Sequence, residues 1–196
     1  MIILKSKIDN FIKIFYKANS ENEPLIFPTD TIYGIGSFFD NKISNEKIYK
    51  LKNREKTKPF PVIISDFAQL KMLEVLLTGS QKEVLKKYWP NNFTFILNTS
   101  LNLNYCVLNS KIAVRMVKDI PLALTIEHFN KPVTATSANL SNKEYSSSIE
   151  EIVLTFWDKI KYFLISADVS NKPSTIVDLT VRPYKFLRNP HNLTTL

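Results

Sequence analysis

The sequence predicts an α+β fold, a mixed β-sheet with helices packed on it. Strand-like apolar runs and segments of helical period are interleaved along the chain. Their spacing is irregular, and strand-like runs follow one another near the C-terminus, which does not suit a regular doubly wound sheet. With 196 residues, 44% hydrophobic and 12% aromatic, there is material for one domain, residues 1–196, with a sizeable core.

Residues 6–18 place Ile8, Phe11, Ile12 and Phe15 on one face of a helix. Leu25-Ile26-Phe27 reads as a buried strand stopped by Pro28, which has no N–H for the next ladder bond. Ser44–Lys52 reads as a helix with Ile48 and Leu51 inward. Phe60–Ser65 reads as a strand, with Asp66 capping a helix after it. Gln81–Trp89 forms a helix that Pro90 ends, before strands over Phe93–Leu97 and Lys111–Val114. Pro121–Phe129 is helical and Pro132–Thr136 is a strand. Ser148 caps a helix to Phe156, with Glu151 at the capping-box position. Tyr162–Ile165, Thr175–Leu179 and Lys185–Leu187 close the chain as strands.

Composition narrows the chemistry. The net charge of +8 suits an anionic partner such as a nucleotide, phosphate or nucleic acid. Lysine is over-used throughout, however, so the four arginines, Arg54, Arg115, Arg182 and Arg188, are the more informative cations. The single cysteine, Cys106, excludes an intrachain disulfide and has no basic neighbour to activate it. No signal segment and no apolar run of membrane-spanning length is present, so a cytoplasmic location without membrane contact is expected. Two histidines, His128 and His191, and one cysteine do not build a common zinc site, and no protein-held metal is expected. There is no nucleophile elbow and no Walker A loop. Gly34-Ile35-Gly36 falls short of a dinucleotide fingerprint because Phe39 holds the third glycine position.

Four segments set polar groups at predicted strand or helix ends. Pro28-Thr29-Asp30-Thr31-Ile32-Tyr33-Gly34 reads on its own as an ordinary polar turn. Lys52-Asn53-Arg54 ends a helix, with Lys56 and Lys58 following. These clustered cations repel one another unless an anion sits among them. Lys111-Ile112-Ala113-Val114-Arg115 is an apolar strand ending in arginine. Thr134-Ala135-Thr136-Ser137-Ala138-Asn139 runs a strand into small polar residues, and an extended backbone would put Ser137 and Asn139 on one face. Together they predict a pocket for a small anionic ligand.

Read in order with Pro173-Ser174-Thr175-Ile176-Val177-Asp178, these segments resemble the YrdC-type threonylcarbamoyl-AMP synthase family, over about Leu25 to Arg188. The length is similar to that of the short, single-domain members. The resemblance implies a twisted mixed sheet flanked by helices around a concave basic cavity. It also implies formation of threonylcarbamoyl-AMP and pyrophosphate from L-threonine, bicarbonate and ATP. Downstream tRNA-modification proteins would use the product, and a tRNA contact is possible within that scheme. Magnesium would come with ATP, held by its phosphates.

The resemblance further implies that Lys52, Arg54, Ser137 and Asn139 are the catalytic set. Thr31, Arg115, Ala135 and Ser174 would bind threonine, with Arg115 on its carboxylate. Arg54, Lys58, Lys111, Ser137 and Arg188 would bind ATP, and Lys52 is expected to share the phosphates with Arg54. The chain departs from the family where Trp89-Pro90-Asn91-Asn92-Phe93-Thr94 stands for Trp-Pro-Gly-Pro-Leu-Thr, and near Asn142 and Asn189, where glycines are usual. Two other readings remain at this point. One is a non-catalytic RNA-binding module that uses the basic cavity; the other is a related enzyme acting on a different carbamoyl compound.

Overall fold

The computed structural model describes residues 1–166, 169–190, 192–194 and 196; His191 lies outside them. In chain order the elements are β1 (Ile2–Lys5), α1 (Ile8–Ser20), β2 (Leu25–Pro28), β3 (Tyr33–Phe38), α2 (Lys42–Lys52) and β4 (Val62–Ile64). A 3-10 helix (Phe67–Leu70) leads to β5 (Val75–Leu76), α3 (Gly79–Tyr88), β6 (Phe93–Thr99), β7 (Val107–Leu108) and β8 (Lys111–Met116). Then come α4 (Pro121–Phe129), β9 (Val133–Ser137), α5 (Ile149–Phe156), β10 (Tyr162–Ile165), β11 (Thr175–Asp178) and β12 (Lys185–Arg188).

The strands form one mixed sheet in the order β1, β10, β2, β3, β9, β4, β8, β6, β11, β12, with β5 added on β6 and β7 on β8. The pairs β1–β10, β10–β2, β4–β8 and β6–β11 are parallel, and the other pairs along the order are antiparallel. The α+β expectation therefore holds.

Helices cover both faces. On one, α1 and α4 lay Phe11, Ile14, Phe15, Leu122 and Ile126 on Phe27, Phe38, Ile63 and Val133. On the other, α2, α3 and α5 bring Ile48, Tyr49, Leu85, Ile152 and Phe156 against Ile35, Val62, Phe95, Val114 and Val177. Each large side chain buried this way contributes roughly 1.5–3 kcal/mol. The first face is not covered from end to end. Ile96, Ala113 and Ile176 lie on it but are only half-buried, and they belong to neither cluster. Their strand neighbours Phe95, Val114 and Val177 point the other way and are fully buried.

Local chemistry moves several predicted boundaries. Tyr33–Phe38 is a strand, not part of a turn, and its glycines differ in purpose. A Cβ at Gly36 would run into the Thr134 carbonyl and the Phe27 ring, whereas one at Gly34 would meet ordinary contacts at 3.5–3.6 Å. No glycine has a positive φ, so Gly34 is not there to free the backbone. Helix α2 starts earlier than expected because Asn41 caps it, accepting the Ser44 N–H at 3.0 Å. Asp66 does cap, but the element it caps is a 3-10 helix. Ser148 caps α5, yet its backbone N–H donates to Ser146 Oγ at 3.0 Å, so the Glu151 side chain does not close a box there. The box forms at α3 instead, between Thr78 and Gln81.

Candidate active site

Strand alternation and register put five of the expected residues on one face. Arg115 pairs with Thr94, Thr94 with Ile176, and Ile176 with Arg188, so these lie in one row across β8, β6, β11 and β12. Lys111 lies four residues before Arg115, hence on the same face. Ala135 and Ser137 share the face of Val133, whose register partner Ile63 is itself paired with Arg115. This is the face where Ile96, Ala113 and Ile176 are left uncovered.

Lys52 arrives from the opposite side, because α2 is pinned in rotation. Asn45, fully buried, donates to the Phe38 carbonyl at 2.9 Å and accepts from the Thr134 hydroxyl at 2.5 Å. Two turns on, Lys52 continues the inward stripe of Asn45 and Ile48 and is only 1% exposed. Its ammonium donates to the carbonyls of Ser137 and Asn139, and to Asn139 Oδ1 at 3.2 Å. Burial, and secondly the charge of Arg54, push its pKa down to about 7. The Ser137 hydroxyl also donates to Asn139 Oδ1, at 2.6 Å. Lys52, Ser137 and Asn139 thus form one hydrogen-bonded unit, in which Lys52 holds the turn instead of standing free.

Asn53 separates Lys52 from Arg54. It takes the left-handed conformation, φ 49°, at the C-cap of α2, so the chain leaves the helix between the two cations. Arg54 is half-buried. It donates to the Lys58 carbonyl at 2.7 Å, and its guanidinium stands 5.5 Å from the Phe60 ring centre. Burial lowers its pKa. The cations of this cluster are spread out, with Lys52 inside, Arg54 at the wall and Lys58 exposed, 3.5 Å from Glu55, yet Lys52 and Arg54 still repel each other. Lys111 is held by Asp178 at 3.2 Å.

The heptapeptide and Arg115 meet directly. Arg115, 5% exposed, donates from Nη1 to Thr31 Oγ1 at 2.6 Å and places Nη2 in an ion pair with Asp30 Oδ1. Its Nε is buried without a hydrogen-bond partner among the described residues. Burial lowers the pKa of Arg115 while Asp30 works to raise it. On the far side of the row, Arg188 donates to the Ser174 carbonyl at 2.7 Å and to Ser174 Oγ at 3.0 Å, and Ser174 Oγ lies 2.8 Å from Thr94 Oγ1. Arg188 keeps an exposed side; desolvation of its guanidinium and, secondly, the charge of Arg115 lower its pKa. Two arginines close enough to feel each other across a partly open floor favour an anion between them.

Sequence reasoning missed Asp30, Thr94 and Tyr33 as members of this network. Asp30 lies inside the Pro28–Gly34 motif, and that membership is the signal the sequence offers for it. Thr94 lay at the end of the departing Trp-Pro motif. Tyr33 lies in the same motif, but nothing local marks its hydrogen-bonding role. Its N–H donates to Tyr145 Oη at 3.0 Å, its hydroxyl donates to the Ser166 carbonyl at 2.6 Å, and its carbonyl accepts the Ala138 N–H at 2.9 Å. Beside it the Ser170 hydroxyl donates to the Thr31 carbonyl at 3.1 Å. Elsewhere, Cys106 is buried and burial pushes its thiol up to about 12, which fits an inert structural residue. His128 is exposed at the end of α4 against the edge of Phe129.

An α+β fold of this kind, a mixed sheet with helices on both faces, is what the comparisons match. The family model for Sua5, YciO and YrdC proteins, described as "Telomere recombination", matches residues 17–190, and the chain belongs to that family. It is 30% identical over 193 residues to the threonylcarbamoyl-AMP synthase of Pyrococcus abyssi, covering 96% of this chain and 56% of that protein. It is 29% identical to the protein of the same name from Buchnera aphidicola, covering 81% of this chain and 93% of the relative. The chain thus spans about half the length of the Pyrococcus relative. Among solved structures, P. abyssi Sua5 complexed with L-threonine superposes with a TM-score of 0.86 at 26% identity, covering 96% of this chain and 57% of that one. E. coli YciO shares the fold, with a TM-score of 0.83 at 19% identity and coverage of 96% and 94%.

Proposed function

We propose that residues 1–196 act as one catalytic domain that forms threonylcarbamoyl-AMP and pyrophosphate from L-threonine, bicarbonate and ATP. The observation that carries this reading is the gathering of Arg115, Arg188, Lys111, Ala135 and Ser137 on one partly uncovered sheet face, with the Lys52–Ser137–Asn139 unit at its edge. That face would form the floor of a concave basic site. The names of the relatives and the threonine complex of P. abyssi Sua5 support the choice of substrates.

In this reading the threonine amine condenses with bicarbonate-derived CO2 and loses a proton, giving a carbamate. A carbamate oxygen then attacks the α-phosphorus of ATP, and pyrophosphate leaves. Both reactants are anionic, so rate comes from cations that hold them together and oppose their repulsion. Arg115, with Thr31, would receive the threonine carboxylate, and the Ala135 backbone and Ser174 would border its body. Arg54, Lys58, Lys111 and Arg188 would face the nucleotide. The Ser137 hydroxyl and Asn139 amide would meet phosphate or carbamate oxygens, with Lys52 setting their positions and adding its charge. Among the described residues no group of three His, Cys, Asp or Glu could hold a metal, so magnesium would enter on ATP's phosphates. Also among the described residues, no helix is long and apolar enough to cross a membrane. We place the enzyme in the cytoplasm, where its product would pass to partner proteins that modify tRNA.

The test is pyrophosphate release from ATP with bicarbonate and each amino acid in turn. Release with L-threonine alone supports the proposal. Release with another amine instead, or tight tRNA binding without turnover, would refute it.

A further inference from the structure

Among the described residues, Asp30 is the acidic side chain in direct contact with the arginine assigned above to the substrate carboxylate. Its Oδ1 is buried on Arg115 Nη2, yet 26% of the Asp30 side chain remains exposed. Arg115 itself is buried, with Nη1 on Thr31 and Nε unpaired among the described residues. An isolated buried guanidinium is costly, so a carboxylate must accompany it when no ligand does. The carboxylate that does so comes from the neighbouring residue of the same loop, between β2 and β3. It stands at the edge of the partly uncovered face, not within either apolar cluster.

From this we propose that the Asp30–Arg115 ion pair is the ligand-free form of a zwitterion site, and that Asp30 recognises the ammonium of the incoming amino acid. The inference rests on the amino-acid reading of the site given above. A free amino acid carries one carboxylate and one ammonium on adjacent carbons. Inserted between the two side chains, it gives Arg115 a carboxylate and Asp30 a cation, so both protein charges stay paired throughout. A plain carboxylic acid would compete for Arg115 but leave Asp30 unpaired beside a second anion. The pair therefore selects for the amine before any chemistry on it takes place. Thr31 holds the Nη1 edge of Arg115 in either state, which keeps the guanidinium oriented during the exchange.

The test compares L-threonine with 3-hydroxybutyrate, the same skeleton without the amine, by isothermal titration calorimetry on the full chain. The wild-type protein should bind threonine at least about tenfold more tightly, the size of one charge-assisted contact. Asp30→Asn should weaken threonine, strengthen 3-hydroxybutyrate, and bring the two within about threefold of each other. Should that variant fold poorly, the wild-type protein carries the test by itself. Threonine affinity should fall as pH rises through titration of its free amine, while affinity for 3-hydroxybutyrate stays level over the same range. Unchanged discrimination in Asp30→Asn, or parallel pH profiles for the two ligands, would overturn the role of Asp30 alone. Failure of the wild-type protein to bind threonine at all would remove the amino-acid reading and this inference with it.

Discussion

Lys52 donates to Asn139 twice, to its backbone carbonyl and to Oδ1 at 3.2 Å, from a position almost wholly out of water. Burial holds its pKa near 7, well below the 10.5 of an ordinary lysine. Below about pH 7 both folded and unfolded chains carry the proton. Between about 7 and 10.5 the unfolded chain binds more, so stability should rise with pH, by at most about 1.4 kcal/mol per unit from this group. Lys52→Met should flatten that part of the profile in urea titrations at successive pH values. It should also lower turnover by about 100-fold or more, because the Ser137–Asn139 turn loses its donor. A variant with the wild-type pH slope would show that Lys52 is not held as described.

Arg188 engages Ser174 at both its carbonyl and its hydroxyl, which requires a planar, forked donor. Arg188→Lys keeps the charge and loses the fork. Pyrophosphate-release kinetics should show a KM raised by about tenfold, with kcat changed much less. Equal loss in Arg188→Lys and Arg188→Ala would point to geometry alone, and no loss in either would place Arg188 outside the site.

The two glycines of β3 should behave oppositely. Gly36→Ala forces a methyl against the Thr134 carbonyl, across the β3–β9 pairing, and should cost about 2 kcal/mol or more. Gly34→Ala meets contacts of 3.5 Å and longer and should change stability by less than about 1 kcal/mol. Thermal melts of the two variants decide this directly.

Asn53 makes the turn that sends Lys52 inward and Arg54 outward. A β-branched residue at its positive φ is disfavoured, so Asn53→Val should destabilise by about 1–2 kcal/mol and reduce activity as well. Asn53→Gly should keep both within about twofold of wild type. The ratio of the two activities, with urea midpoints alongside, checks whether the backbone or the asparagine side chain matters here.

An element is legible in the chain to the extent that its signal is written locally. Helix α1 and strands β6 and β8 show their period in consecutive residues, so they can be read directly. Strand β3 cannot, because Gly34, Gly36 and Ser37 hide an extended segment behind turn residues, and only its pairing with β2 on one side and β9 on the other makes it a strand. The site divides in the same way. The arginines, Ser137 and Asn139 stand at visible strand or helix ends. The inward aim of Lys52 depends on Asn45 bonding to Phe38 and Thr134, a contact between residues as far as 89 positions apart, so no local pattern announces burial of a lysine on that stripe. Asp30 and Thr94 gain meaning only when β8 brings Arg115 beside them.

Tyr33 has a consequence for binding order. Its backbone is bonded to Ala138, inside the Ser137–Asn139 turn, and to Tyr145, on the loop that follows it, and its phenol is bonded to Ser166, ahead of the Ser174 segment. The two stretches therefore share one pin and do not loosen independently. A ligand that stiffens either stretch lowers the entropic cost of ordering the other for the next ligand, and linkage makes that help mutual. Two substrates that each touched one stretch would then assist each other's entry, through the hydroxyl and the peptide group of a single tyrosine.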